Sequence, residues 1–197
     1  MNYVLETPFR SLLTGFGIAG LALTAWLVTG PVDPIELTSV LLRFVHVVSA
    51  MAWIGLVFFV NFVQLKALEE ADEASRNAIS KWIVPRVAAG FRHASHLTVI
   101  SGGMLLILTG YLLVEWVNSS AAYLPLPRIL MLVAGALGGL VMWVLVNFVI
   151  GPSLKIALTG DAAGKARARQ TVKRYARLNL VLALPVAFAM VAAAHLV

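Results

Sequence analysis

One histidine interrupts an otherwise apolar stretch of this chain, where an imidazole is suited to binding a metal or a cofactor. His46 is the one ionisable side chain in residues 44–60. Ionisable groups in lipid usually face a partner, a cofactor or a water-filled path. His46, Ala50 and Trp53 are spaced by four and three residues, so they share a helix face on which the small Ala50 leaves room for a flat cofactor. A hydrogen bond from His46 to a neighbouring helix is the plainer alternative.

The composition indicates an integral membrane protein. The 197 residues are 60% hydrophobic and 12% charged, with a mean hydropathy of +0.91, which is far more apolar than a soluble domain. Continuously apolar runs of about 20 residues, the length that crosses the hydrocarbon core as a helix, lie at 11–29, 39–65, 93–117, 128–151 and 177–197. We predict an all-α integral membrane protein with five transmembrane helices in one bundle. Its parts are an N-terminal helix and turn (1–36) and a four-helix domain (37–197).

The basic residues predict the orientation of this bundle. Thirteen of the 15 Lys and Arg residues are Arg10 or lie in two loops, 66–92 and 152–177. By the positive-inside rule these segments are cytoplasmic, so the N-terminus is cytoplasmic and the C-terminus periplasmic. We expect a multi-pass protein of the bacterial inner (cytoplasmic) membrane. The net charge of +6 then reflects topology and contact with anionic lipid, and nothing else indicates nucleic-acid binding.

This topology sorts the polar residues of the predicted membrane segments into two layers. The periplasmic layer contains His46, Arg43, Tyr111, Glu115, Arg128, Met131 and His195. The cytoplasmic layer contains Asn61, Gln64, His93, His96, Asn147 and Asn179. Because antiparallel neighbours place His93 and His96 far from His46 in depth, His195 is the histidine expected to accompany His46. For His93 and His96 we favour an interfacial or structural role, whereas for His195 interfacial and ligand roles are equally weighted.

Small residues and the missing cysteines add two constraints. Glycines recur on single faces of the third and fourth segments, a pattern that predicts close helix packing more often than a cofactor site: Gly103 and Gly110, then Gly135, Gly138 and Gly139. The chain has no cysteine, which excludes disulfides, thiolate metal sites and covalent c-type haem attachment.

Four ordered stretches resemble the membrane domain of bacterial cytochrome-linked urate oxidases (urate hydroxylases). They are His46 through Trp53-Ile54-Gly55 to Gln64, Val84-Pro85-Arg86 through Arg92, Gly139 through Pro152 to Lys155, and Arg177 through Asn179 to His195. The resemblance covers about residues 37–197. The copper-resistance D family, which also has a His-to-Trp-Gly helix, is more distantly similar. The resemblance implies a helical membrane domain that carries b-type haem and passes electrons to a cytochrome c.

The resemblance also implies a ligand set, because His46 and His195 match family positions. We expect haem b bound through these two imidazoles near the periplasmic face, which is a common solution in membranes. Met131 is the alternative second ligand, since its depth matches that of His46 better. The remaining contacts are expected from Arg43 or Arg128 to a propionate and from Ala50 and Trp53 to the ring.

Three functions stay open at this point. The first is an electron-transfer membrane protein, a subunit of a larger redox complex or a homo-oligomer. The second is a urate or related oxidoreductase that uses a separate cytochrome c, because we expect the chain to be a short form without the family's cytochrome c domain. The third is a haem-free transporter or structural membrane subunit. A haem spectrum separates the first two from the third.

Overall fold

The fold is all-helical wherever the structure, a computed structural model, describes it. The described residues are 2–109 and 125–196, and they are 92% helical with no strand among them. Two predicted polar residues, Tyr111 and Glu115, and the end of the predicted segment 93–117 lie outside these residues.

The helices follow one another with short breaks. Their bounds are α1 Asn2–Leu5, α2 Pro8–Leu27, α3 Pro34–Phe59, α4 Leu65–Glu70, α5 Glu73–Ala78, α6 Val84–Leu108, α7 Leu126–Val144, α8 Gly151–Thr159 and α9 Ala162–His195. Three π-helical turns join some of them directly: π1 Val60–Gln64, π2 Ile79–Ile83 and π3 Leu145–Ile150. A π turn leaves the helix continuous, so α3 runs through π1 into α4, and α7 runs through π3 into α8.

Four helical stretches among the described residues are long and apolar enough to cross a membrane. They are Pro8–Leu27, Pro34–Glu70, Leu126–Thr159 and Ala162–His195. They contain the predicted segments 11–29, 39–65 and 128–151 nearly whole, and most of 177–197. The prediction of an all-helical chain is therefore confirmed, and these four stretches suggest a membrane protein by their length and composition. The chain separates into two compact units, residues 1–40 and 41–197, with the division inside α3.

Side-chain caps explain where several helices begin. Thr7 caps α2 by accepting a hydrogen bond from the Arg10 amide at 3.3 Å, and Pro8 follows in the first turn. Asp72 caps α5 through the Ser75 amide at 2.7 Å. Asp161 caps α9 through the Gly164 amide at 2.9 Å. Each cap satisfies a backbone donor that has no partner inside its helix.

The core of the second unit is formed by four helical stretches. Trp53, Val57, Ala94, Met142, Val146 and Ala183 form one buried cluster. Helices α7 and α9 approach closely, because a Cβ on Gly138 would lie 2.5 Å from Val186 Cγ2. The glycine pattern thus acts in helix packing, as the sequence predicts for Gly138.

Candidate functional site

His46 lies in the contact between α3 and α6. Its ring Nδ1 is 2.9 Å from the Thr98 carbonyl oxygen and 3.3 Å from the Ser101 hydroxyl. Ser101 in turn donates to the Leu97 carbonyl at 2.5 Å. The imidazole is half-buried, whereas Thr98 and Ser101 are buried. We call this arrangement the His46 contact.

Gly102 makes room for the imidazole. A Cβ at this position would lie 2.9 Å from His46 Cε1 and 3.1 Å from Nδ1, closer than real side chains pack. A Cβ on the next residue, Gly103, would have no heavy atom of the described residues within 4 Å. Gly102 is therefore the glycine on α6 that the His46 contact requires.

The hydrogen bond to Thr98 determines which His46 nitrogen is available for other chemistry. A carbonyl oxygen only accepts, so Nδ1 carries the proton and Nε2 keeps its lone pair. Metal-binding histidines are usually held in this way, with the second ring nitrogen donating to a carbonyl or a carboxylate. The same bond also serves as a plain crosslink between α3 and α6.

The other predicted haem contacts lie near the start of α7 and at the end of α9. Arg128 Nε donates to the Ala193 carbonyl at 3.1 Å, which brings the start of α7 to the last turn of α9. His195 is exposed at the final residue of that turn. Met131 is half-buried one turn beyond Arg128. No hydrogen bond among the described residues joins His46 to His195.

The remaining predicted contacts differ in burial. Arg43 is exposed on α3, and Ala50 is half-buried. Trp53 is 3% exposed and belongs to the core cluster, where its indole Nε1 has no partner among the described residues. Trp53 thus packs inside the second unit, one turn beyond Ala50 on the same helix.

A cavity of about 440 Å³ opens among π1, α6, π3, α8 and α9. Four amide side chains contribute to its lining, and we call it the amide cavity: Asn61, Gln64, Asn147 and Asn179. The sequence predicts all four in one layer, and their shared cavity confirms that grouping. Most of the remaining lining is apolar, including Val57, Val84 and Val146.

Several amide atoms of this cavity have no hydrogen-bond partner among the described residues. They are Asn61 Oδ1, Gln64 Oε1, and both Oδ1 and Nδ2 of Asn179. Asn179 is 1% exposed and Gln64 8%. Leaving a buried polar group unpaired costs about 1–3 kcal/mol. If no other molecule pairs with these atoms, Asn179 is expected to lower the stability of the fold.

Asn61 has a fixed orientation at the cavity wall. Its Nδ2 donates to the Val57 carbonyl at 2.9 Å and to the Ala176 carbonyl of α9 at 3.1 Å. Carbonyls accept only, so the amide nitrogen faces them and Oδ1 is the atom left over. Asn61 thus joins π1 to α9 and still offers one acceptor.

Two π turns and two cations complete the cavity. Asn61 and Gln64 lie in π1, and Asn147 lies in π3. π turns inside α-helices are rare and occur frequently at functional sites. Arg92 and Lys155 also line the cavity, and neither forms an ion pair with a described residue. The lining contains no Asp or Glu among the described residues.

Sequence reasoning found the amide layer but not the cavity. Nothing in the spacing of Asn61, Asn147 and Asn179 shows that three separate helical stretches enclose a space. His93 and His96, placed in the same layer, do not line the cavity. His93 is exposed. His96 Nδ1 is 2.7 Å from the Arg92 carbonyl oxygen. The His96 and Trp143 rings pack edge to face, with their centroids 5.6 Å apart.

Comparisons of the chain with protein-family models, curated proteins and solved structures found no match. No group of three or more His, Asp or Glu side chains that could hold a metal ion occurs in the described ranges. A haem bound through two axial side chains requires only two protein ligands, fewer than the three that such a group contains. The function is therefore argued from the His46 contact and the amide cavity themselves.

Proposed function

We propose that this chain is a b-type haem-binding membrane protein that transfers electrons near the periplasmic face. The observation that supports the proposal is the hydrogen bond from His46 Nδ1 to the Thr98 carbonyl, at 2.9 Å. It holds the ring in one orientation and leaves Nε2 as the free nitrogen, which is how iron-binding imidazoles are supported. The residues at His46 fit a haem ligand in this respect.

The second ligand in the proposal is His195, with Met131 as the alternative. Arg128 Nε donates a hydrogen bond to the carbonyl of Ala193, two residues before His195. A guanidinium has five N–H donors, so others remain for a haem propionate, as they do on Arg43. Ala50 and Trp53 would contact the ring from the His46 side.

Bound haem would supply one-electron redox chemistry, and the protein's part is to hold the iron ligands and set their surroundings. The apolar helices around His46 keep the local dielectric low, which tunes the potential of such a group. The electron partner in the proposal is a separate cytochrome c or another redox protein. The chain then acts as a component of a larger redox complex or as a homo-oligomer.

The proposed topology has five transmembrane helices, with the third in segment 93–117. Residues 93–108 of that segment belong to α6, a 25-residue helix. The basic segments 66–92 and 152–177 support a cytoplasmic N-terminus and a periplasmic C-terminus by the positive-inside rule. The proposed location is the bacterial inner membrane.

A haem-free structural or transport subunit is the second candidate, and one observation favours it. The His46 contact already satisfies Nδ1 and fills the space above Gly102. A crosslink between α3 and α6 is a sufficient role for such a histidine. The amide cavity would then be the more informative site of the protein.

The absorption spectrum of the purified chain tests the proposal. We expect a Soret band from haem bound in equimolar amount, and loss of that band in both His46→Ala and His195→Ala. His96→Ala is the matched control and should keep the band, because His96 contacts its own helix and Trp143. A wild-type chain that takes up no haem when haem is supplied would overturn the proposal.

Two further measurements separate the remaining alternatives. If the band survives in His195→Ala and shifts in Met131→Leu, the second ligand is Met131. Reduction of the bound haem by urate would identify the urate-oxidising alternative. We expect no such reduction, since no soluble substrate site was predicted beside His46.

A further inference from the structure

The amide cavity contains polar atoms that the fold leaves without partners. Asn179 is 1% exposed, and neither its Oδ1 nor its Nδ2 has a hydrogen-bond partner among the described residues. Gln64 is 8% exposed with an unpaired Oε1. Buried amides are nearly always hydrogen-bonded, so buried amides without a protein partner that line a cavity point to a binding site.

The unpaired atoms indicate which groups the occupant must carry. The orientation of Asn61 is fixed by its two carbonyl partners, so its Oδ1 accepts only. Satisfying Asn61 therefore requires a hydrogen-bond donor on the occupant. Asn179 offers both a donor and an acceptor, and it can adjust to either kind of group.

The charge of the cavity adds a second requirement. Arg92 and Lys155 are exposed residues that contribute to the lining, and neither has an ion-pair partner among the described residues. No carboxylate side chain of the described residues lines the cavity. Low-dielectric walls focus the field of such cations and favour an anion. A guanidinium matches the two oxygens of a carboxylate particularly well.

The size and the walls give the third requirement. A volume of about 440 Å³ lies within the range of small-molecule sites, which are mostly apolar with a few placed polar groups. Ordered water is the competing occupant, because water bridges unpaired amides. Water does not gain from the apolar side chains that make up most of the lining.

We propose that the amide cavity binds an amphipathic organic acid. Its carboxylate meets Arg92 and Lys155, its apolar body lies against the valine and leucine walls, and a hydrogen-bond donor meets the oxygens of Asn61 and Gln64. Asn179 takes the remaining polar group. This site is separate from the His46 contact, and the proposal holds whether or not the chain binds haem.

Isothermal titration of the purified full chain in detergent tests the proposal with three probes. 4-Hydroxybenzoate carries the carboxylate, the apolar body and the donor; benzoate lacks the donor, and phenol lacks the carboxylate. We expect binding of 4-hydroxybenzoate in the millimolar range or tighter. Benzoate and phenol should each bind about tenfold more weakly, because each leaves one polar feature of the cavity unpaired.

Single substitutions test whether 4-hydroxybenzoate binds in the amide cavity. Arg92→Gln and Asn179→Leu should each weaken 4-hydroxybenzoate binding by about tenfold or more. Arg174→Gln, which removes the same charge from an exposed residue outside the lining, should leave binding unchanged. Gln64→Leu provides a second amide variant if Asn179→Leu does not fold, and thermal unfolding without ligand shows which variants fold.

Two results would overturn the proposal. One is the absence of binding of 4-hydroxybenzoate to the folded wild-type chain at millimolar concentration. The other is binding that survives unchanged in folded Arg92→Gln and in a folded amide variant. Either result would show that the amide cavity is not an organic-acid site. The haem spectrum tests the proposed function independently of this result.

Discussion

The His46 contact and the amide cavity both bring polar side chains into apolar surroundings, but they differ in how these side chains are satisfied. At the His46 contact the imidazole has a carbonyl partner at 2.9 Å and a glycine that gives it space. In the amide cavity Asn179 is 1% exposed and has no hydrogen-bond partner among the described residues. A satisfied group supports the fold, whereas an unsatisfied one costs stability and indicates a binding role. Stability measurements therefore distinguish the two regions without knowledge of any ligand.

The largest expected effect comes from filling the space beside His46. Gly102→Val places a side chain where a Cβ alone would already lie 2.9 Å from the imidazole. We expect a loss of about 3 kcal/mol in the free energy of unfolding, because overpacking forces the ring from its hydrogen bond. Denaturant unfolding in detergent measures it.

Gly103→Val is the matched control for this change. It adds the same side chain to the same helix at a position with nothing within 4 Å. If both variants lose equal stability, the close fit between Gly102 and His46 is not what matters at this contact.

The second effect has the opposite sign and belongs to the amide cavity. Asn179→Leu replaces an unpaired amide by an apolar side chain of similar length. We expect the ligand-free chain to gain about 1–2 kcal/mol, because the desolvation cost of the amide disappears. The shift of the thermal midpoint Tm measures it.

Asn61→Leu is the control for that gain. Asn61 donates two hydrogen bonds, one of them to α9, so the same substitution should give no gain. If Asn179→Leu lowered Tm as much as Asn61→Leu does, Asn179 would support the fold. The contrast between the His46 contact and the amide cavity would then be lost.

The third effect is a moderate loss at His46 itself. His46→Leu keeps an apolar body in the contact and removes the bond to the Thr98 carbonyl. We expect a loss of about 1 kcal/mol in the haem-free chain, a usual value for one hydrogen bond between membrane helices. Unfolding of the haem-free chain measures it, and a gain like that of Asn179→Leu would contradict the account of the contact.

The smallest expected effect is at Asp72, the exposed N-cap of α5, which lies outside both regions. It serves as a solvent-exposed reference for the two buried regions. The Ser75 hydroxyl and amide lower the pKa of the Asp72 carboxyl below its ordinary value of 3.8. Because the folded pKa is depressed, this contribution to stability is present above pH 3.8 and is lost as the pH falls through the folded pKa.

Asp72→Asn checks this contribution. The amide still caps α5, so we expect a slightly lower Tm than wild type at pH 7, with the difference vanishing towards about pH 2. A difference that does not depend on pH would show that the charge of Asp72 contributes nothing. Either way the change should be smaller than those at the His46 contact or the amide cavity.

Much of the fold could be predicted because helix lengths and helix starts depend on residues that are close together in the sequence. Apolar runs set helix lengths. Pro8 indicates a helix start through its fixed backbone angle, and Asp72 and Asp161 do so through side-chain oxygens that accept from backbone amides. The π turns were not predictable in this way. Val60–Gln64 and Leu145–Ile150 look like continuous helix, because an extra residue per turn depends on what packs against it.

The sequence by itself determined the helical membrane class, the common layer of the four amides and the isolation of His46 in an apolar segment, because hydrophobicity and the 3.6-residue period are properties of single segments. Only the tertiary structure decided that the imidazole contacts Thr98 and Gly102, and that Asn179 lines a cavity with no hydrogen-bond partner in the part of the chain that is described. Those outcomes depend on how helices far apart in the chain pack side by side. Several lateral arrangements are compatible with the same apolar pattern, and the packing of residues such as Gly138 against Val186 selects one.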